Sequence, residues 1–218
     1  MTAAQPGRPG TEGTRSLEVR WIFPGQLAAA VAAWFGRFPA ETKALEDVYL
    51  LDPHLPGLSV KVREQRALEV KAYHGSPGVL DVAGRARGRL EAWQKWSFPH
   101  SPPGQRAGGQ DGWRPVRKRR RISWFSRAGR LAGARGTGLA GGPGCAVELT
   151  EVHASGEAWW TLGFEATGPV CLLRSELEAA AGLVFAQPLP DRVELGMDDS
   201  RSYDQWLRWS PGAAPGTR

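Results

Sequence analysis

The sequence predicts an α+β protein with a large, mainly antiparallel sheet or barrel and helices near its two ends. Two observations predict this class. About eight short segments alternate apolar and polar residues, as strands with one buried face do, whereas helical periodicity occurs only towards the ends of the chain. A group of strands flanked by helices is typical of α+β architecture.

The first half of the chain contains one predicted helix among predicted strands. Residues 15–23 (RSLEVRWIF) alternate apolar with polar side chains, and a Pro-Gly pair ends this strand. Residues 26–38 place their apolar side chains on one stripe and predict a helix. Further strands are predicted at 46–51, 57–64, 68–73 and 89–98.

The second half contains three more predicted strands and two helices. Residues 145–152 and 159–166 predict a hairpin, and helices are predicted at 174–183 and 203–209. Residues 116–125 (VRKRRRISWF) are rich in β-branched and aromatic side chains, which favour a strand. The register of this basic strand is open, because one face holds either Arg117, Arg119 and Arg121 or Lys118 and Arg120.

Basic charge is concentrated in one segment. Lys and Arg number 28 against 22 Asp and Glu, a formal net charge of +6. Residues 101–144 hold ten of the cations and a single acid, so this segment carries +9 and the rest of the chain −3. Because the segment is also rich in glycine, flexible insertions are predicted near 101–113 and 127–144. Residues 1–14 are predicted to be a disordered tail and 210–218 a second tail, which leaves 15–209 as a single domain.

Composition excludes several classes of protein. No apolar run approaches the ~18 residues of a membrane span, so no membrane partner is expected. Two cysteines, Cys145 and Cys171, are too few for a disulfide scaffold and predict a reduced, cytoplasmic protein. The chain has no phosphate-binding loop, nucleophile elbow or dinucleotide fingerprint.

The polar faces of the predicted strands are nearly all charged, through Glu18, Arg20, Lys61, Arg63, Glu69, Lys71, Glu91, Lys95 and Glu165. In one interpretation these residues form a solvent-facing sheet surface with ion pairs. In the other, the sheet closes and the charges converge on its interior. There, Lys and Arg would bind phosphate oxygens and carboxylates would hold a divalent cation. Trp93 and Trp96 beside Lys95 are expected to pack in the wall, with stacking on a substrate ring as the alternative.

The order of the segments resembles the CYTH family, the triphosphate tunnel metalloenzymes. Ser16-Leu17-Glu18-Val19-Arg20 is similar to the family's Glu-x-Glu-x-Lys strand. The later matching segments are EDVYLLDP (46–53), LSVKVRE (58–64), LEVK (68–71), VRKRRRI (116–122), AVELTEV (146–152), WWTLGFEA (159–166) and SRSYDQWL (200–207). The resemblance covers residues 16–207 and is interrupted by the basic, glycine-rich insertion.

The resemblance implies a barrel of about eight strands around a charged tunnel, with flanking helices. It implies that phosphate groups are bound by Arg20, Lys61, Arg63, Lys71, Lys95 and Arg119. It also implies that Mg²⁺ or Mn²⁺ is held by Glu18, Glu165 and Glu148. The expected ligand is a phosphate-rich small molecule such as a triphosphate, a nucleotide or polyphosphate.

Four positions depart from the family pattern. Ser16 replaces the first glutamate of the signature, Arg20 its lysine, and Thr150 and Gly163 stand where the late hairpin usually has carboxylates. With fewer carboxylates, metal affinity should fall while anion binding is retained. The expected function is therefore a metal-dependent phosphoanhydride hydrolase or a non-catalytic phosphate-ligand sensor. A nucleic-acid-associated protein acting through the basic insertion is the less favoured third hypothesis.

Overall fold

The computed structural model describes residues 13–100, 112–126, 131–132, 142–190 and 193–209, with the backbone alone for 131–132. The strands are β1 (Thr14–Pro24), β2 (Glu41–Leu50), β3 (Leu58–Arg63), β4 (Ala67–Tyr73), β5 (Gly78–Val82), β6 (Ala86–Pro99), β7 (Trp113–Phe125), β8 (Leu131–Ala132), β9 (Gly144–Ala154) and β10 (Glu157–Thr167). The helices are α1 (Ala29–Phe35), α2 (Val170–Val184) and α3 (Tyr203–Trp209), with a 3₁₀ turn at Met197–Asp199.

Eight of the strands within the described residues form a closed antiparallel barrel. Their order is β1-β10-β9-β7-β2-β3-β4-β6, and β6 pairs with β1 to complete the ring. Outside the ring, β5 pairs with β6 and β8 with β7. The predicted fold class, α+β with a mainly antiparallel barrel and flanking helices, is confirmed. The sequence was compatible with either an open sheet or a closed barrel. The structure shows the closed barrel.

The main hydrophobic core lies outside the barrel, between its outer surface and the helices. On β1 the odd-numbered residues Leu17, Val19 and Trp21 face outwards and are buried, because strand side chains alternate between the two faces. Helix α2 packs on β1, β9 and β10. Gly88 on β6 makes room for this core, since an added Cβ would lie 2.6 Å from atoms of both Trp21 and Val19.

A second cluster closes one end of the barrel. Trp206 and Leu207 of α3 pack against inward-facing apolar residues at that end: Ile22, Tyr49, Val116, Val152 and Ala154. These side chains continue the inward rows of β1, β2, β7 and β9. Helix α3 therefore acts as a plug, and in the described part of the chain the interior opens at the opposite end.

Short turns connect neighbouring strands where the sequence predicts them. The β9–β10 hairpin turns at Ser155 and Gly156, whose φ values of 53° and 82° suit the two-residue turn that matches strand twist. Helix α3 is confirmed at 203–209, and α2 begins four residues earlier than predicted, at Val170.

Several predicted boundaries differ from the structure. The helix predicted at 26–38 is limited to α1, because Ala28 before it is extended and Gly36 ends it. Strand β2 begins at Glu41 rather than at residue 46, because its first residues pair with β7. The two outer strands, β5 and β8, were not predicted.

The predicted tails and insertions are only partly covered by the structure. Thr14 already belongs to β1, Trp113 begins β7 and Gly144 begins β9, so the segments predicted at 1–14, 101–113 and 127–144 each overlap a strand at one end. The predictions for 1–12, 101–111, 127–130, 133–141 and 210–218 lie outside the described residues. None of the described helices combines the length and the apolar character that crossing a membrane requires.

Candidate functional site

The barrel encloses a cavity of about 1660 Å³ lined by charged side chains. They come from the inward rows of β1, β2, β3, β4, β6, β7, β9 and β10, so each strand of the ring contributes. The open end, which we call the mouth, is bordered by Arg15, Lys43, Gln94, Trp124 and Thr167. The charges inside the cavity form three clusters and one isolated carboxyl group.

The first cluster, the Asp47 cluster, lies deepest. Asp47 is 0% exposed, and its oxygens accept hydrogen bonds from Lys61 Nζ (3.1 Å), Arg63 Nε (3.1 Å) and Lys118 Nζ (2.9 Å). Burial alone would raise the pKa of this carboxyl, but the three cations outweigh burial and hold it far below its usual range. The carboxylate of Glu69 lies 3.3 Å from Lys61 and 2.9 Å from Arg63. Together with Asp47, it neutralises two of the three positive charges in this cluster.

Two tyrosines hold Lys118 in this cluster. Lys118 Nζ donates to Tyr49 Oη at 2.7 Å and lies 3.9 Å from the ring centroid of Tyr203. An ammonium group over an aromatic face is stabilised by the ring quadrupole. Burial raises the pKa of Tyr49 to about 12, which keeps it neutral beside Asp47.

The second cluster is centred on Glu148. Arg20 Nη1 lies 3.2 Å from Glu148 Oε1, Arg120 Nε lies 2.8 Å from Oε2, and Thr150 Oγ1 donates to Oε1 at 2.9 Å. Burial opposes ionisation of Glu148, yet the two guanidinium groups hold its pKa well below the usual range. Arg20 also donates to Thr161 Oγ1 at 3.0 Å.

Gly163 explains how the guanidinium of Arg20 fits inside the wall. An added Cβ at this position would lie 2.8 Å from Arg20 Cζ and 2.9 Å from Nη2. The space that a side chain at residue 163 would occupy is therefore filled by the guanidinium of Arg20.

The third cluster pairs two carboxylates across neighbouring strands. Glu18 on β1 is the direct cross-strand partner of Glu165 on β10. Lys71 Nζ lies 2.6 Å from Glu18 Oε1 and 3.7 Å from Glu165 Oε1, and Ser16 Oγ donates to Glu18 at 2.6 Å. Lys95 Nζ is 3.8 Å from Glu165. Mainly through Lys71, the pKa of Glu165 falls to about 2.

Glu91 is the isolated carboxyl group. It is the cross-strand partner of Glu18 on β6, and its Oε2 accepts a hydrogen bond from Trp93 Nε1 at 3.2 Å. Its buried Oε1 has no hydrogen-bond partner among the described residues. Burial raises the pKa of Glu91 to about 7, and the bond from Trp93 only partly opposes this.

The cavity brings together all but one of the residues predicted for the site: Glu18, Arg20, Lys61, Arg63, Lys71, Lys95, Glu148 and Glu165. The prediction for Arg119 is wrong in placement. Its side chain is 60% exposed on the outer surface and lies 3.7 Å from Glu151. Even-numbered residues of β7 face inwards, so Lys118 and Arg120 occupy the interior instead.

Sequence reasoning missed Asp47, Lys118, Arg120, Tyr49 and Tyr203 as site residues. A signal for β7 was present, because Val116 and Ile122 share the face of Lys118 and Arg120, whereas Phe125 lies on the opposite face with the outer core. Asp47 and Tyr49 share one face of the strand predicted at 46–51, but a single aspartate next to Glu46 carries no distinctive spacing.

A divalent cation would find two carboxylates side by side at Glu18 and Glu165. Mg²⁺ is commonly held by one or two carboxylates together with substrate phosphates, and this pair suits that donor set. Glu148 stands apart from the pair, with both oxygens engaged by arginines. Within the described ranges, no group of three or more His, Cys, Asp or Glu side chains is arranged to hold a metal ion.

No family model and no curated protein matches this chain. The chain is distantly similar to several solved structures. A conserved hypothetical protein from Pyrococcus furiosus is 15% identical, with 86% of this chain and 98% of that chain covered and a TM-score of 0.47. The RNA triphosphatase of S. pombe is 11% identical over 81% and 80%, with a TM-score of 0.41.

A further structure of this kind is a putative adenylyl cyclase from Hippeastrum, described as having a dominant triphosphatase activity. It is 10% identical to this chain, with 89% of this chain and 95% of that chain covered and a TM-score of 0.44. Likenesses at these scores are too distant to assign an activity. The arrangement of charges in the cavity is the observation on which a function can be based.

Proposed function

We propose that this chain binds a triphosphate- or polyphosphate-bearing compound in the barrel cavity and hydrolyses a phosphoanhydride bond with the help of Mg²⁺ or Mn²⁺. One observation carries the proposal: cationic side chains from separate strands converge on one cavity and outnumber its ionised carboxylates. Among the described inner residues, the cations are Arg20, Lys61, Arg63, Lys71, Lys95, Lys118 and Arg120. The carboxylates that balance them are Glu18, Asp47, Glu69, Glu148 and Glu165, and Glu91 is added only near and above pH 7.

The excess of positive charge supports a multiply charged anion as the ligand. Lys95 and Arg63 have side chains that are 29% and 26% exposed, so they are accessible to a ligand that enters from the mouth. Arginine can bind two phosphate oxygens at once through its planar fork, whereas lysine acts as a point charge. A chain of phosphates can engage several such groups together.

In this proposal Glu18 and Glu165 hold the metal ion, and the ammonium of Lys71 moves from between them onto a phosphate oxygen. The bound ion supplies neutralisation of phosphate charge, which phosphoryl transfer requires. Glu148 was expected to be a third ligand, but its contacts support a different role. It holds the guanidinium groups of Arg20 and Arg120 in position for phosphate.

Calorimetric titration with inorganic triphosphate tests the binding part of the proposal. Lys95→Gln removes one charge from the cavity and is expected to weaken binding by about tenfold or more, because hydrogen bonds to charged groups contribute ~1.5–3 kcal/mol. Arg119→Gln removes the same charge from the outer surface and should bind as the native chain does. Equal losses in the two variants, or in neither, would contradict binding inside the cavity.

Phosphate release from inorganic triphosphate, with and without Mg²⁺ or Mn²⁺, tests the hydrolysis part. Metal-dependent release by the native chain should disappear in Glu165→Gln, because only one carboxylate of the pair then remains. Release that persists in Glu165→Gln would show that the pair is not the metal site.

One observation favours a second candidate function, a binding module without turnover. Lys71 already lies between Glu18 and Glu165, where it neutralises the carboxylates that a metal ion would otherwise use. Triphosphate binding without phosphate release would support this alternative. The hypothesis of nucleic-acid association through the basic insertion concerns residues that lie largely outside the described part of the chain, and it stays a prediction.

A further inference from the structure

Helix α3 places an aromatic ring among the charged clusters of the cavity. Tyr203, the first residue of the helix, is half-buried and lines the cavity. Two cations lie over its ring, Lys118 Nζ at 3.9 Å and Arg20 Cζ at 4.5 Å from the centroid. The Tyr203 hydroxyl lies 3.2 Å from Thr161 Oγ1, which also accepts a hydrogen bond from Arg20. Tyr203 therefore links the first cluster of the cavity to the second.

The backbone around Tyr203 is fixed by hydrogen bonds on both sides of the residue. The backbone N–H of Gln205 donates to Ser202 Oγ at 3.3 Å, and the backbone N–H of Ser202 donates to Gln205 Oε1 at 3.4 Å. This reciprocal pair is a capping box, which satisfies donors at the start of a helix. One residue earlier, the backbone N–H of Arg201 donates to the carbonyl oxygen of Arg20 at 3.0 Å. The first turn of α3 is thus anchored to the strand that carries one of the two cations.

An aromatic ring can hold a cation in place without neutralising it. Glu148 and Asp47 also hold Arg20 and Lys118, but each carboxylate cancels one positive charge. The face of a ring attracts a cation through its quadrupole and adds no net charge. Burial raises the pKa of Tyr203, so its hydroxyl stays neutral beside these cations. The ring therefore stabilises two like charges close together while both remain available to an anion.

We infer that Tyr203 is a positioning residue, whose ring holds Lys118 and Arg20 in the arrangement that binds the innermost phosphate. This inference rests on the proposed function, and it gives α3 a part in ligand binding beyond closing the barrel. Without the ring, the two cations would be drawn further towards Asp47 and Glu148. A phosphate would then have to separate each cation from its carboxylate, and binding would weaken.

Calorimetric titration with inorganic triphosphate tests this inference. Tyr203→Leu removes the ring and should weaken binding by about tenfold, whereas Tyr203→Phe keeps the ring and should stay within about threefold of the native affinity. Trp206→Leu is the matched control, because it makes the same kind of change on the same helix at a residue of the apolar plug. It should leave the affinity unchanged. Equal losses in Tyr203→Leu and Trp206→Leu would mean that only the packing of α3 matters.

A double-mutant cycle shows whether Tyr203 acts through the cations. In a chain that already carries Lys118→Gln, one of the two positioned cations is missing. Tyr203→Leu should then reduce the affinity by a factor severalfold smaller than in the native chain, because effects of residues that act together are not additive. The same factor in both chains would contradict positioning through Lys118.

The outcomes separate this inference from the function on which it rests. If the native chain binds triphosphate and Tyr203→Leu binds it equally well, the inference is overturned and the proposed function stands. If the native chain binds no triphosphate, the proposed function fails and the inference fails with it. Should Tyr203→Leu not fold, Tyr203→Phe decides, since a tenfold loss in a variant that keeps the ring would refute the role of the ring.

Discussion

Asp47 shows how a single residue organises the cations of this interior. An ionised carboxylate without partners would be strongly disfavoured at a position with no exposure. Contacts with Lys61, Arg63 and Lys118 reverse that preference, and the three cations are in turn fixed in place by one small anion. The deepest cations of the cavity are therefore held in place before any ligand enters.

Glu91 represents the opposite case, a buried carboxyl without a cationic partner at hydrogen-bond distance in the described residues. Its pKa is raised from 4.5 to about 7, so the folded chain binds more protons than the unfolded chain between these values. The free energy of unfolding must therefore fall as the pH rises from about 4.5 to about 7. Glu91→Gln removes this titration, so the variant should gain stability relative to the native chain over that window, by at most about 3 kcal/mol.

Denaturant unfolding of both chains at about pH 4.5 and about pH 8 measures this difference. Glu157→Gln, at an exposed position of the β9–β10 hairpin, is the control and should show no such pH-dependent gain. A constant stability difference between Glu91→Gln and the native chain at both pH values would mean that Glu91 does not titrate in this window.

At the scale of single elements, β7 shows why the sequence could not define the whole site. Strand register is normally specified by apolar residues on one face, because a shift of one residue moves every side chain to the other face. Within RKRRR both faces are charged, so these five residues alone do not indicate which face points inwards, and the signal comes only from the flanking residues Val116, Ile122 and Phe125. Alternation is clear in β1, β3 and β4, and the residues predicted on these strands line the cavity.

Gly163 on β10 offers a test at this scale. Gly163→Ala places a methyl group against the guanidinium of Arg20, which must move away from Glu148 and Thr161. Because the atoms that move are at the end of a flexible side chain, the fold should persist with a loss of about 1–3 kcal/mol. Calorimetric affinity for inorganic triphosphate should fall severalfold, since Arg20 no longer faces the cavity in its native position.

Gly182→Ala is the matched control for this substitution. Gly182 is an exposed residue of α2, and an added Cβ would meet no atom within 4 Å. The change should raise the free energy of unfolding by up to about 1 kcal/mol, because glycine disfavours a helix, and should leave triphosphate affinity unchanged. An affinity for Gly163→Ala equal to that of Gly182→Ala would show that Arg20 does not contribute to binding.

At the scale of the whole molecule, closure was the property that alternation could not reveal. An open antiparallel sheet and a barrel have the same pattern along each strand, and they differ only in whether the first and last strands of the ring meet. Here β1 pairs with β6 through Thr14–Glu18 and with β10 along most of its length. Only the order of the segments, taken with the family resemblance, favoured the barrel.

The plug formed by α3 provides a test of this architecture. Trp206 is buried in the cluster that closes the barrel, so Trp206→Ala should lower the free energy of unfolding by about 3–5 kcal/mol. Trp209→Ala, three residues later on the same helix and 83% exposed, should change it by less than about 0.5 kcal/mol. Denaturant unfolding measures both variants, and similar losses would indicate that α3 does not seal the barrel end.

Within the described residues, α3 closes one end of the barrel, so a ligand would enter and leave through the mouth. A linear anion cannot thread through such a chamber, so only its terminus can reach Arg120 and Lys118, however long the rest of it is. The end of the anion that enters first would also leave last, because the rest of the ligand lies between it and the mouth. The chamber would thus recognise the ends of phosphate chains and not their interior, and a phosphate split from the innermost position would wait there until the remainder had departed.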